Sequence, residues 1–132
     1  MATVAPNPTL PLFYQALEPI NFARHGKLKV RPVGNAPQMA TAYAVPVTVD
    51  EFSLVQRHYP IVFAAGDNPI PIALMGLNEG VNVFLDENGR PRDESKYLPA
   101  YIRRYPFLLV PYPPGSDEMS LCFDPQSEPV GD

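Results

Sequence analysis

The paired arginines Arg103 and Arg104 are the side chains of this sequence best suited to recognition chemistry. A guanidinium group presents N–H donors in a planar fork that matches the two oxygens of a carboxylate or a phosphate. Tyr101 and Tyr105 flank the pair and can pack against a bound group. We therefore predict that these four residues bind a partner.

The alternative is that the arginines pair with carboxylates of the chain itself. Consecutive residues of a helix lie about 100° apart, so the two guanidinium groups cannot share one direction. We expect Arg104 to point away from the core and Arg103 to lie at its margin. One of them is expected to pair with Asp86 or Asp93 and lock the loop 86–96, which leaves the other for a partner's carboxylate.

Three further side chains that could do chemistry are better interpreted as structural. His25 and His58 have no partner at a chelating or catalytic spacing, and Cys122 lies in an apolar stretch that predicts a buried thiol. No phosphate-binding glycine loop or nucleophile motif is present in the sequence. We therefore predict no catalytic residue, no metal site and no cofactor, and a protein that is not an enzyme.

The arginines are predicted to lie on a short helix that leads directly into a strand. Pro99 suits a first helical position, and Pro106 prevents Tyr105 from continuing the helix. The run 107–110 is apolar and predicts a core strand, with Tyr105 and Phe107 substantially buried. The apolar helix face consists of Leu98, Tyr101, Ile102 and Tyr105.

A second helix of the same design is predicted earlier in the chain. Thr48 and Glu51 form a capping box at its start, and Tyr59-Pro60 ends it before another apolar run. The two Tyr-Pro segments could reflect a duplication, or they could reuse one turn chemistry.

The remaining apolar runs predict short strands joined by turns rather than long helices. We expect an α+β fold in which a mostly antiparallel, twisted sheet carries two short helices. The domain should span residues 13–124, between a flexible proline-rich N-terminus (1–12) and a flexible tail (125–132). The predicted strands are 27–31, 40–47, 61–65, 70–75, 81–85, 107–110 and 119–123, and the loop 32–37 is expected to turn at Gly34-Asn35.

Composition limits the possible functions. A net charge of −4 gives no basic surface for nucleic acid, and the single cysteine excludes a disulfide within the chain. No apolar run is long enough to cross a membrane, and the first residues lack the pattern of a secretory signal. We therefore expect a cytoplasmic location, with the cell surface reached by a signal-independent route as the alternative.

Four stretches together resemble the bacterial SapC family across residues 13–124. The most specific stretch places a proline, the paired arginines and Tyr-Pro-Phe in fixed register. The four are Phe13-Tyr14 through Pro19-Ile20-Asn21 to His25; Tyr59-Pro60-Ile61-Val62-Phe63; Pro71-Ile72-Ala73-Leu74-Met75-Gly76-Leu77 with Asn82-Val83-Phe84-Leu85-Asp86; and Leu98-Pro99-Ala100-Tyr101-Ile102-Arg103-Arg104-Tyr105-Pro106-Phe107.

The resemblance implies a binding role. The family is named for a surface-layer protein, and some members are encoded beside flavin-dependent tryptophan halogenases, cupin-like proteins and TonB-dependent receptors. We therefore predict a non-catalytic binding or accessory module that recognises a protein or peptide, for which an exposed sheet edge is one available mode. The alternative is a surface-layer component that self-associates. Family members are longer, so the chain is expected to be an N-terminal half or a truncated member.

Overall fold

The computed structural model describes residues 10–31, 36–127 and 130–131 of the chain. The predicted α+β fold is confirmed, with antiparallel strand pairs and short helices between them. The strands are divided between two three-stranded sheets and one two-stranded pair instead of forming one sheet. The predicted turn at Gly34-Asn35 and residues 1–9 of the predicted flexible N-terminus lie outside the described residues.

The first sheet has the order β1-β7-β6 and the second the order β3-β5-β4. In the first sheet Leu108 lies opposite Cys122, and in the second Val45 and Ile61 lie on either side of Ala73. The strands are β1 (Glu18–Pro19), β2 (Lys29–Val30), β3 (Ala44–Pro46), β4 (Ile61–Phe63), β5 (Pro71–Leu74), β6 (Phe107–Pro111), β7 (Met119–Phe123) and β8 (Val130–Gly131).

The helices are each a single turn because prolines and turns interrupt the chain at short intervals. The α-helices are α1 (Phe22–His25), α2 (Phe52–Val55) and α3 (Ala100–Arg103), and 3-10 turns cover Pro37–Met39 and Val49–Glu51. The last of these turns leads into α2, so the predicted capped helix is present as one 3-10 turn followed by one α turn. Glu51 accepts a hydrogen bond from the Thr48 N–H at 3.2 Å, as the capping box predicts.

One apolar core joins the second sheet, α2 and the helix–strand unit of α3 and β6. Val45 and Ala73 are fully buried on the inner face of the second sheet, and Val55 fills the space beneath α2. Other members are Phe13, Tyr14, Ala36, Met39, Ala42, Val47, Tyr59, Met75, Leu85, Ile102, Tyr105 and Leu108.

The predicted strand at 81–85 is wrong, and Asn82 gives the reason. This stretch forms only an isolated bridge between Leu85 and Pro91. The buried Asn82 Oδ1 accepts hydrogen bonds from the N–H groups of Phe84 (2.8 Å) and Leu85 (3.0 Å). Its Nδ2 donates to the Ala42 carbonyl at 2.8 Å. A side chain that occupies the neighbouring backbone donors competes with strand pairing.

The strand β6 is less buried than its apolar sequence predicts. Tyr105 and Leu108 are buried, but Phe107 is only half-buried and Leu109 is 59% exposed. Alternate residues point to opposite faces of a strand, and the face that carries Leu109 and Leu121 is exposed, while His25 covers only its end at Phe123. The prediction that Tyr105 and Phe107 are substantially buried is therefore confirmed for Tyr105 and met in part by Phe107, whereas Leu109 departs from the predicted core strand.

The two Tyr-Pro segments play different structural roles. Tyr59 and Tyr105 are both buried, but Pro60 is exposed whereas Pro106 is buried. In the tail, Ser127 is buried, and β8 pairs with β2. The described part of the tail is thus bonded to the domain.

Candidate functional site

The four predicted site residues lie on α3 and the turn that follows it, but they differ in exposure. Tyr105 is buried, Tyr101 and Arg104 are half-buried, and Arg103 is exposed. The expected orientation of the two arginines is therefore reversed, because Arg104 lies closer to the core than Arg103.

Arg103 is bound to its own segment of chain. Its Nε donates to the Leu98 carbonyl at 2.9 Å, and its Nη2 donates to the Tyr97 hydroxyl at 2.9 Å. The guanidinium also lies over the Tyr97 ring, 5.1 Å from the centroid, a distance that allows a cation–π interaction. Arg103 therefore fixes the start of α3.

The predicted pairing of an arginine with Asp86 or Asp93 is wrong. Asp86 accepts hydrogen bonds from the N–H groups of Asn88 and Arg90, each at 2.9 Å. These bonds, the one from Arg90 first, lower the pKa of the Asp86 carboxyl. Asp93 accepts from Ser95, which lowers its pKa, and lies 3.7 Å from the Lys96 ammonium. Both carboxylates therefore bind groups of their own loop and not the arginines of α3.

Arg104 is held by aromatic rings rather than by a carboxylate. Its guanidinium lies 4.0 Å from the centroid of the Tyr101 ring and 6.0 Å from that of Tyr14. Its Nε is buried without a hydrogen-bond partner, and no acidic group of the described residues lies within ion-pair distance of it. The positive charge of Arg104 is therefore not neutralised within the described part of the chain.

The N-terminal segment places these rings. Phe13 packs edge-on against Tyr101 with centroids 5.9 Å apart, and Tyr14 packs edge-on against Tyr105 at 5.4 Å. The Tyr14 hydroxyl donates to the Phe107 carbonyl at 2.7 Å. This segment lies far from α3 in sequence, so the spacing within the helix could not reveal it.

Burial raises the pKa of both tyrosines beneath Arg104. For Tyr14 the nearby Arg104 charge partly offsets the rise. For Tyr105 burial and the neighbouring Asp124 carboxylate raise the pKa from 10.0 to about 12. Both phenols therefore hold their protons more tightly in the folded protein than in the unfolded chain.

This difference predicts a loss of stability at alkaline pH. The contribution of Tyr105 is complete below its unfolded pKa of 10.0 and is lost as the pH rises through its folded pKa of about 12. The free energy of unfolding should fall across this interval by at most about 1.4 kcal/mol per pH unit for each such tyrosine. Urea titrations of the parent and of Tyr105→Phe at several alkaline pH values measure this fall. The free energy of unfolding of the variant should fall less steeply with pH than that of the parent. If both proteins lose stability equally steeply with rising pH, the loss does not come from Tyr105.

Glu51 joins the starts of the two predicted helices. It is 6% exposed, and its Oε2 accepts hydrogen bonds from the Tyr97 hydroxyl (2.9 Å) and the Ala100 N–H (3.0 Å). Its Oε1 is the capping acceptor for Thr48. With donors on both oxygens, this carboxylate acts as a structural acceptor.

An open groove of about 320 Å³ lies between these two helix starts. Tyr101 and Arg104 form one side of it, and Thr48 and Glu51 belong to the other. Pro46 and Val47 add apolar surface. We call this space the α3 groove. It combines a cation, an aromatic ring and apolar contacts, a combination suited to a side chain that carries a carboxylate.

Asp124 is a fully buried carboxylate beneath the site that was not predicted from the sequence. Its Oδ2 accepts from the Gln15 N–H at 2.8 Å, and its Oδ1 accepts from the Gln126 N–H at 2.9 Å. It therefore connects the N-terminal segment to the end of the first sheet. An acidic residue directly after an apolar strand was the available signal.

The two histidines and the cysteine, which could in principle do chemistry, each make structural contacts or are buried. His25 Nδ1 accepts from the Asn21 N–H at 3.0 Å, so its proton lies on Nε2, which donates to Glu18 at 3.2 Å. His58 packs edge-on against the neighbouring ring of Tyr59. Cys122 is buried, and burial raises the pKa of its thiol.

The described residues offer neither a metal-binding cluster nor a membrane-spanning helix. They contain no group of three or more histidine, cysteine, aspartate or glutamate side chains that could hold a metal ion. None of the helices in the described part of the chain has the length and apolar character needed to span a membrane.

Comparison with known proteins identifies the family. Residues 20–132 match the model of the family described as SapC, which is most of the chain. The chain therefore belongs to the SapC family. Comparisons with curated proteins and with solved structures gave no match.

Proposed function

We propose that this SapC-family protein is a non-catalytic binding module that recognises a protein or peptide through the α3 groove. The observation that carries the proposal is Arg104, whose guanidinium is stacked on Tyr101 while no described carboxylate neutralises it. An arginine held by ring stacking keeps its N–H donors available for a bidentate carboxylate.

The partner's chemistry follows from the charges of the groove and of the whole chain. The groove offers one available cation beside apolar surface and the Glu51 carboxylate, whose two oxygens already accept hydrogen bonds. The chain as a whole carries a net charge of −4. A run of acidic residues would be repelled by this net charge. We therefore expect a partner segment with a single carboxylate flanked by apolar or aromatic residues.

The other side chains that could act in catalysis are hydrogen-bonded or buried within the fold, and this supports a non-catalytic role. Glu51 receives donors on both oxygens, and both ring nitrogens of His25 are bonded. Cys122 is buried with a raised pKa, so its thiol is a poor nucleophile. These groups all make contacts that hold the fold together. We propose the cytoplasm as the compartment in which the protein works.

A peptide array tests the binding role. Each short apolar peptide is presented in two forms, one with a central glutamate and one with glutamine, and the best pair is measured by fluorescence anisotropy. The glutamate form should bind more tightly. Arg104→Ala should weaken that binding about tenfold or more, and Arg104→Lys should weaken it less because only the planar fork is lost.

The matched control is Arg31→Ala, which removes the same charge from an exposed position away from α3. It should bind like the parent, and thermal melts of each variant check that the fold is retained. Equal affinity of parent and Arg104→Ala, or of the glutamate and glutamine peptides, would contradict the proposal.

A second candidate function is a surface-layer component that self-associates, at the cell surface. Exposed apolar side chains on strands of both sheets favour it, such as Phe63 (62% exposed) on β4 and Leu109 on β6. Such surfaces often mark contacts between proteins.

A further inference from the structure

The strand β4 has an open edge. In an antiparallel pair, alternate residues direct their backbone groups toward the partner strand and away from it. The Ala64 N–H donates to the Ile70 carbonyl at 2.9 Å across the β4–β5 pair, so Val62 shares that direction. The N–H and C=O groups of Ile61 and Phe63 therefore point away from β5.

These outward groups have no partner in the described part of the protein. β4 lies at the end of its sheet, and no described residue bonds to the backbone of Ile61 or Phe63 from the other side. The stretch 61–65 reads Ile-Val-Phe-Ala-Ala, without a proline or a charge. An uncharged apolar edge of this kind is a template for pairing with another strand.

The other outer strands of the two three-stranded sheets, β1, β3 and β6, have edges that are interrupted by features that β4 lacks. Pro19 on β1 and Pro46 on β3 face outward and have no N–H to donate. On β6 the outward carbonyl of Phe107 accepts from the Tyr14 hydroxyl, and Pro111 again lacks a donor. Among the described outer strands, β3 and β6 each keep one unpaired outward residue, Ala44 and Leu109, whereas β4 has two in succession, Ile61 and Phe63.

The outer face beside this edge is also apolar. Val62 and Ile72 lie opposite each other on that face, and Pro46 continues the row on β3. Ala44 and Leu74 form the next row. A strand added at the β4 edge would therefore extend a continuous apolar surface.

We propose that two copies of this chain associate by antiparallel pairing of β4 with β4, which joins their two three-stranded sheets into one. With a two-fold axis at Val62, the outward groups of Ile61 meet those of Phe63 from the second copy, and all of them are satisfied. The flanks are also complementary, because exposed Arg57 precedes the strand and exposed Asp67 follows it. Antiparallel pairing brings these unlike ends together.

The inference deepens the second candidate function and rests on it, not on the α3 groove. A two-fold pairing uses the open edge of both copies and therefore closes at the dimer. An array would need a further surface. Because the Arg104 variants leave the β4 edge unchanged, failure of peptide binding and failure of pairing are separate results.

Sedimentation velocity at rising chain concentration tests the pairing. The parent should move from 14.6 kDa toward twice that mass. Phe63→Pro removes an N–H that the β4–β5 pair does not use, so it should stay at 14.6 kDa with its fold retained. Phe63→Lys should also stay monomeric, whereas Leu109→Lys, matched to it in exposure, should dimerise like the parent.

Residue-resolved amide exchange gives an independent readout. The amides of Ile61 and Phe63 should gain protection as the concentration rises, while that of Val62 should be protected throughout. A parent that stays monomeric at every concentration would overturn the proposal. Dimer formation by Phe63→Pro would also overturn it. The same holds if Leu109→Lys abolishes the dimer while Phe63→Lys leaves it intact.

Discussion

Replacing Asn82 with alanine is expected to lower the free energy of unfolding by about 3 kcal/mol or more, because it leaves three polar groups unpaired and each buried one costs roughly 1–3 kcal/mol. The substitution leaves the N–H groups of Phe84 and Leu85 and the carbonyl of Ala42 without the bonds that the Asn82 amide supplies. Asn82 is buried, so water cannot readily replace it. Urea denaturation followed by circular dichroism measures the change.

The matched control is Asn78→Ala, at an exposed turn position of the same loop region. It should change the free energy of unfolding by no more than about 0.5 kcal/mol, as is usual for a surface site. If the two variants unfold at the same urea concentration, Asn82 does not organise this stretch.

Gly89→Ala is expected to destabilise the fold by about 3 kcal/mol or more, because a strained backbone and a steric clash add together. Gly89 has φ of +78°, where a side chain is unfavourable. A Cβ atom at this position would lie 2.2 Å from the Ala36 carbonyl oxygen, so the backbone would have to move. The hydrogen bond from the Ala36 N–H to the Asn88 carbonyl, 2.7 Å long, would be disturbed as well. Differential scanning calorimetry measures the loss.

Gly80→Ala separates the two causes. Gly80 has the same φ of +78°, but nothing lies within 4 Å of its added Cβ atom. This variant should lose only the conformational part, about 1–2 kcal/mol. Equal losses at the two glycines would show that the contact with Ala36 adds no cost.

Local signals predicted the positions of α2 and α3 but not that of α1. The capping pair Thr48 and Glu51 marks the start of the helical segment that contains α2, and Pro106 marks the end of the one that contains α3. Both signals act within a few residues and depend little on the rest of the fold. The same is true of β7, whose bounds Met119–Phe123 agree with the apolar run that predicted them.

Contacts between distant segments account for the errors. The apolar run at 81–85 has the composition of a strand, but the bond from Asn82 to Ala42 depends on how the chain returns on itself. The exposure of Leu109 was not expected of a core strand, because composition does not tell whether one or both faces of a strand are covered.

The candidate site was predicted in its position but not in its contacts. Arg103 and Arg104 lie on the predicted helix, yet Arg103 turns back to Tyr97 just before that helix, and Arg104 lies near Tyr14 of the N-terminal segment. Helical spacing gives the direction of a side chain, and the partner in that direction depends on the tertiary fold. Asp124 was missed for the same reason, since its bond to Gln15 connects residues far apart in sequence.

The Glu51 carboxylate also couples the local unfolding of two helix starts that lie far apart in sequence. It accepts hydrogen bonds from Thr48 at one start and from Ala100 at the other, and from the Tyr97 hydroxyl that Arg103 also contacts. Fraying of either start would leave a buried carboxylate short of donors and so weaken the other. The two short helices, each too small to be stable alone, therefore share a single cooperative transition.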